Sequence, residues 1–332
     1  MPVTRPVPGR FPGIRGSDVV KSDSNVTTRH SEIPSSPAGN GRIVAHHGIS
    51  VEVLFQGEQR RMVRVKRNSG HVVGDEVSVN GELLTRLPRA TELRRRDARG
   101  GVHLVAANLD ALGIVMAPLS PGRFIDRAIV TSRTARLTPF LVINKCDLGE
   151  AHQLAARLRE TYAASLPLFP LSATTGEGLL PLREYLATGR CGVFIGSTGV
   201  GKSSLMNALC PHIKLAVGSV GDYRSMGRHT TTVSTLHSLD GGGELVDTPG
   251  FRDFGLVDIS PQDLAAHFPG FEEAGSESCR FSNCRHRSEP GCSVLRSLQQ
   301  GRITRERYAS FLELLDEVEA EEEKKRVRGW RS

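Results

Sequence analysis

The stretch GSTGVGKS, residues 196–203, constrains this chain more than any other. It fits G-x-x-x-x-G-K-[ST] at every fixed position, follows the apolar run CGVFI and opens the helical pattern KSSLMNALC. Strand, glycine-rich turn and helix in that order form a phosphate cradle. Gly196, Gly199 and Gly201 let the backbone turn tightly enough for successive N–H groups to face phosphate oxygens, and the helix dipole adds positive potential. Ser197, Thr198, Val200 and Ser204 complete the expected lining. Lys202 is placed to bridge the β- and γ-phosphates, as a binding and catalytic group, and Ser203 to ligate Mg²⁺ through its hydroxyl. A glycine-rich turn with no ligand is the plain alternative.

Two further motifs belong with such a cradle. ELVDTPG ends an apolar run in Asp247, suited to support the Mg²⁺, with the N–H of Gly250 in reach of a γ-phosphate. Between them YRSMGRHTTTVSTL has the hydroxyls of a switch loop that orders on nucleotide binding. Of Thr230, Thr231 and Thr232, Thr231 is the expected Mg²⁺ ligand, from its placement relative to Gly-x-Thr switches in other GTPases; three surface threonines are the alternative.

The run LVINKCD, residues 141–147, has the pattern of a guanine reader. A carboxylate at Asp147 accepts from the N1–H and exocyclic amine of guanine, a donor pair that adenine lacks. Asn144 is expected at N7 and against the neighbouring loop, and Lys145 along the base plane with its aliphatic stem. Downstream, LSA (171–173) brings Ser172 and the N–H of Ala173, which suits guanine O6. GTP is therefore expected over ATP. The reader precedes the cradle, the reverse of an ordinary G-domain, so the order is a circular permutation. Chain ends that lie close together allow such a cut without disturbing the packed sheet. Its consequence is that the Asp-Thr-Pro-Gly switch leads straight into whatever follows.

From about 98 to 256, apolar runs alternate with helical patterns near 121–134, 150–163, 178–187 and from 202, which calls for a largely parallel sheet covered by helices. Residues 1–40 are rich in proline, serine, glycine and arginine with no apolar period, and are expected to be a disordered basic tail. A transit peptide fits less well because acids and prolines interrupt the tail. From 41 to 97, RIVAHHG, ISVEVLF, RRMVRVKR and DEVSV read as short strands of a small barrel of the OB type. The hexapeptide EVLFQG, which matches a protease-recognition sequence, falls within that strand pattern and is read as part of it. Arg60, Arg61, Arg64, Lys66 and Arg67, with LRRRDAR at 93–99, give the barrel a basic face that fits phosphate backbones or is simply solvated. Phe55 is its sole aromatic residue, which argues against base stacking.

The C-terminal part, 257–332, holds CRFSNCRHRSEPGC. Cys279, Cys284, His286 and Cys292 supply three thiolates and one imidazole, a full tetrahedral Zn²⁺ shell with no position left for catalysis. Arg280, Arg285 and Arg287 among the ligands suit RNA phosphates or a solvated face. Cys146, Cys191 and Cys210 lie beside or within apolar patterns and read as reduced core thiols. A helix over TRERYASFLELLDEVEAEEEKKRVR presents Tyr308, Phe311, Leu312, Leu315 and Val318 on one face, expected to pack on the core. The net charge of +7 points to an acidic partner, nucleic acid first. With no apolar run of membrane-spanning length, a cytoplasmic chain without membrane contact is expected.

With GRHTTT, DTPGF and CRHRSEPGC in one chain, residues 41–320 resemble the bacterial ribosome small-subunit-dependent GTPase A family. The resemblance implies a multidomain fold: an N-terminal OB-fold β-barrel, a central α/β circularly permuted P-loop GTPase domain, and a C-terminal mainly α zinc-binding domain. It implies GTP and GDP with Mg²⁺, one structural Zn²⁺, a monomer, and 30S subunit and 16S rRNA as partners, with no role for DNA. It also implies slow GTP hydrolysis stimulated on the small subunit during late maturation near the decoding region. A non-catalytic rRNA scaffold with a structural nucleotide is the competing reading. Phe251 falls where Ras-like enzymes carry a water-orienting glutamine, so another group must position the water, and His229 is the candidate.

Overall fold

The structure, a computed structural model, describes residues 39–97, 100–118, 120–216, 233–248, 256–272 and 279–329. The expected tail lies outside them except for its last two residues. Alternating apolar residues build five antiparallel strands: β1 (Gly39–His46), β2 (Ser50–Phe55), β3 (Arg60–Arg64), β4 (Glu76–Asn80) and β5 (Leu83–Arg86). They run in the order β3-β2-β1-β4-β5 and enclose a small core of Ile43, Val51, Val53, Val63, Val77 and Val79. Phe55 packs in that core at 7% exposure and offers no face to a base.

β6 (Glu92–Arg96) and β7 (Val102–Ala107) form a separate hairpin that spans residue 97, the expected domain boundary. Two of its arginines reach other parts of the molecule: Arg94 pairs with Glu92 and Asp258, and Arg96 with Glu321. This part of the LRRRDAR cluster therefore acts as an internal tie.

The central domain follows as β8 (Ala111–Met116), α1 (Arg123–Thr134), β9 (Thr138–Ile143), α2 (Gly149–Tyr162), β10 (Leu168–Pro170), α3 (Leu179–Ala187), β11 (Cys191–Ile195), α4 (Lys202–Leu209), β12 (Ser234–Ser238) and β13 (Glu244–Asp247). The strands β10-β9-β8-β11-β13 are parallel, and β12 closes the set antiparallel to β13. β8 and β11 are unbroken apolar runs because every residue in them is buried, as in a sheet covered on both faces. Helices α1 and α2 pack on one face, α3 and α4 on the other. Cys191 and Cys210 are buried free thiols, and burial pushes both up to about 11, which keeps them protonated at neutral pH.

The C-terminal part contains α5 (Leu264–His267), α6 (Ser293–Gln299) and α7 (Arg305–Gly329). Phe268, Phe271 and Phe311 form a ring cluster with centroids 4.9–5.5 Å apart, and Leu256, Leu315, Val318 and Val130 of α1 join the same core. The apolar face of α7 thus packs as its periodicity requires. A buried polar knot pins α7 to the central domain: Arg307 donates to Asp126 at 2.6 Å, and Tyr162 donates to the same carboxylate oxygen at 2.7 Å. Burial raises the Asp126 carboxyl, and Arg307 works against that rise. Among the described residues no helix is long and apolar enough to cross a membrane.

Candidate nucleotide site and metal centre

The end of β9 carries the residue that organises the site. Asn144, 2% exposed, donates from Nδ2 to the Val200 carbonyl at 2.8 Å and accepts at Oδ1 from the Ala173 N–H at 3.0 Å. One buried amide thereby holds the NKCD strand, the cradle and the Ser-Ala loop together. Removing it would leave buried polar groups unpaired, at about 1–3 kcal/mol each. The Ala173 N–H, expected at guanine O6, here donates to Asn144.

Glycine is required where the cradle meets this junction. A Cβ on Gly201, at φ +93°, would sit 2.3 Å from Asn144 Nδ2, and one on Gly196 would sit 2.4 Å from the Val115 carbonyl oxygen. The Lys202 ammonium folds over the loop, donating to the carbonyls of Gly196 at 2.7 Å and Ser197 at 2.9 Å. Ser203 lies in the first turn of α4, and Asp247 ends β13 half-buried. Burial raises the Asp247 carboxyl, and Lys202 offsets part of the rise. Hydroxyl and carboxylate are oxygen donors of the type Mg²⁺ takes.

Asp147 is exposed, and the buried Ser172 hydroxyl donates to its Oδ1 at 2.6 Å. That bond orients the carboxylate while leaving Oδ2 free for a base. Lys145 has φ +68° beside it. Asp147→Asn is expected to exchange an acceptor for a donor and shift preference from GTP to xanthosine triphosphate by about 10²-fold or more in relative affinity. Competition between the two nucleotides measures it; loss of binding to both would leave the guanine assignment without support. His229, Thr231 and Gly250 lie outside the described residues.

The second centre is compact. The ligand atoms of Cys279, Cys284, His286 and Cys292 all lie within 4.8 Å of one another. His286 Nδ1 is 3.6 Å from the Sγ of Cys279, 3.6 Å from that of Cys284 and 3.3 Å from that of Cys292. A tetrahedral Zn²⁺ with ordinary bond lengths sets sulfur and nitrogen about 3.5 Å apart, so the donor set is compatible with zinc. Burial lowers the His286 pKa, favouring the neutral ring a metal needs. Glu289, which sequence reasoning left without a role, accepts from the N–H groups of Arg285 at 2.8 Å, Arg287 at 2.8 Å and Ser288 at 3.0 Å. Burial works to raise its carboxyl, but backbone N–H groups outweigh that and hold it at about 2.

The knuckle is less basic than its sequence suggests. Arg285 pairs with Glu319 at 2.8 Å and Glu322 at 3.2 Å, and Arg287 pairs with Glu319 at 2.7 Å and with Asp316. These two guanidiniums fasten the knuckle to α7, so of the three arginines read as suiting RNA phosphates or a solvated face, two are engaged within the protein. Arg280 is exposed and lies over the Phe281 ring.

A guanine-reading strand that precedes the phosphate-cradle strand in sequence, both in one mixed sheet, defines a circularly permuted GTPase fold. The model of the RsgA GTPase family matches residues 86–257. The small ribosomal subunit biogenesis GTPase RsgA of Pseudomonas fluorescens strain SBW25 is 37% identical over 322 residues, 92% of this chain and 93% of that protein. Its namesake in Azotobacter vinelandii is 38% identical over 317 residues, 91% and 92% of the two chains. The crystal structure of YjeQ from Thermotoga maritima superposes with a TM-score of 0.69 at 30% identity, over 85% of this chain and 99% of that one. YloQ, a circularly permuted GTPase, shares the fold with a TM-score of 0.63 at 24% identity, over 88% and 98%. This chain belongs to the RsgA GTPase family and is a GTP hydrolase.

Proposed function

We propose that this GTPase works on the small ribosomal subunit, binding 30S particles through 16S rRNA late in their maturation and hydrolysing GTP faster there than alone. The supporting observation is a basic cluster at the end of β3 and in the loop that follows it, within the five-stranded part read as an OB-fold. Arg64, Lys66 and Arg67 are exposed and have no acidic partner among the described residues, whereas Arg94, Arg96, Arg285 and Arg287 are ion-paired. Such a cluster meets phosphate backbones by charge, without base stacking. The relatives' name, small ribosomal subunit biogenesis GTPase, supplies the partner.

In this reading GTP with Mg²⁺ occupies the cradle, Ser203 and Thr231 ligate the Mg²⁺, Asp247 supports it, and the Gly250 N–H meets the γ-phosphate. Zn²⁺ in the Cys₃His shell is structural, and the enzyme works as a cytoplasmic monomer. His229 positions the attacking water. His229→Ala is expected to lower subunit-stimulated turnover by about tenfold or more with little change in nucleotide affinity. Stimulated turnover equal to that of the unaltered protein would remove His229 from the mechanism.

A further inference from the structure

The sheet does not end at the central domain. β12 pairs with β13 on one side and with β1 on the other. Ala45 lies opposite Thr235, and Thr235 lies opposite Asp247, so one row crosses three strands from the N-terminal sheet to the acid beside the cradle. A second tie closes the far end of the β12/β13 hairpin. Arg42 of β1 pairs with Glu244, the residue opposite Ser238, and donates to the Asn108 carbonyl at 3.2 Å. Between the two ties Val44 is buried in the central core with Leu236, Val246 and Val193.

A bulge makes this possible. The β1/β2 register shifts between Ile43 and Ala45; residues before it, Gly39 to Arg42, pair with β4, and residues after it pair with β12. β1 therefore belongs to both sheets, and bulges serve to redirect a strand in this way. Neighbouring strands lie about 4.8 Å apart, so Asp247 is two strand spacings, about 10 Å, from β1.

We propose that β1 is a positioning element for GTP hydrolysis, with Arg42 its anchoring residue. It sets the β12/β13 hairpin, and through it Asp247, so that a ligand held on the N-terminal sheet alters turnover. Where the coupling extends to binding free energies it is reciprocal, so nucleotide state is expected to be felt by β1 as well. The inference rests on the reading above only in naming that ligand as small-subunit RNA. The permutation by itself points to output through the C-terminal module; the sheet supplies an N-terminal route.

Two measurements test it. Hydrogen exchange on the intact protein, loaded with GDP or with a non-hydrolysable GTP analogue, is expected to differ about fivefold or more at the amides of Val44, Ala45 and His46. In saturating small subunits, Arg42→Ala and Glu244→Gln are each expected to lower kcat for GTP about tenfold while KM stays within about twofold. Arg42→Lys, which keeps the charge facing Glu244, should restore part of the loss. Identical exchange at β1 in the two nucleotide states overturns the proposal, as does unaltered kcat in both variants. Should Arg42→Ala not fold, Glu244→Gln and the exchange comparison still decide. If the unaltered protein shows no stimulation, the ribosomal reading fails, and exchange at β1 judges the coupling alone.

Discussion

Replacing Lys202 by alanine is expected to lower kcat/KM for GTP by roughly 10²–10³-fold, the scale for loss of one preorganised group at developing charge. The basis is local. Lys202 leads α4 out of the cradle, and its ammonium spans the loop between the Gly196 and Ser197 carbonyls, the loop expected to hold phosphate. Asp247 would also lose the Lys202 charge that offsets part of its burial. The bonds that hold the expected base pocket, Asn144 to Val200 and Ser172 to Asp147, are made by other side chains. The expected pattern is therefore loss of turnover with the preference for guanine over adenine retained. Steady-state kinetics with GTP and ATP read both, and a variant with ordinary GTP turnover would show that this loop is not the phosphate site.

The second large effect concerns the Cys₃His centre. Structural zinc is worth about 10–16 kcal/mol in small zinc modules. The described C-terminal residues depend on one modest core around Phe268, Phe271 and Phe311, so loss of the metal is expected to unfold this region while the central sheet stays intact. Cys284→Ser should carry far less zinc than the unaltered protein, which should hold about one per chain. Its α6 and α7 amides should exchange rapidly, and those of β8, β9 and β11 should stay protected. Full protection of α7 in a zinc-free protein would show that ring packing and the Asp126–Arg307 knot suffice without metal.

What could be read from the sequence was what burial or chemistry forces into a pattern. β8 and β11 appear as unbroken apolar runs because both faces of the sheet are covered. Cys279, Cys284, His286 and Cys292 sit close in sequence because a knuckle closes over a short loop. Features made by distant partners left no such trace. Arg285 and Arg287 looked like an RNA surface because Glu319 and Asp316, which neutralise them, lie 34 and 29 residues away. Arg94 and Arg96 misled in the same way, since Asp258 and Glu321 come from other modules. The β1/β12 seam is backbone pairing between strands nearly two hundred residues apart, with no side-chain signature. Asn144 is expected from its motif to be a base contact, but its hold on Val200 and Ala173 needed the folded loops.

The cradle and the guanine reader make a GTPase; the ribosome is the further claim, and it separates an enzyme switch from a scaffold that merely carries nucleotide. The direct measurement is GTP turnover by the full chain with and without purified 30S subunits, at matched Mg²⁺ and ionic strength. The account predicts slow turnover alone and an increase of about tenfold or more with subunits, saturating as they are titrated. Equal rates with and without subunits would contradict it and favour the scaffold.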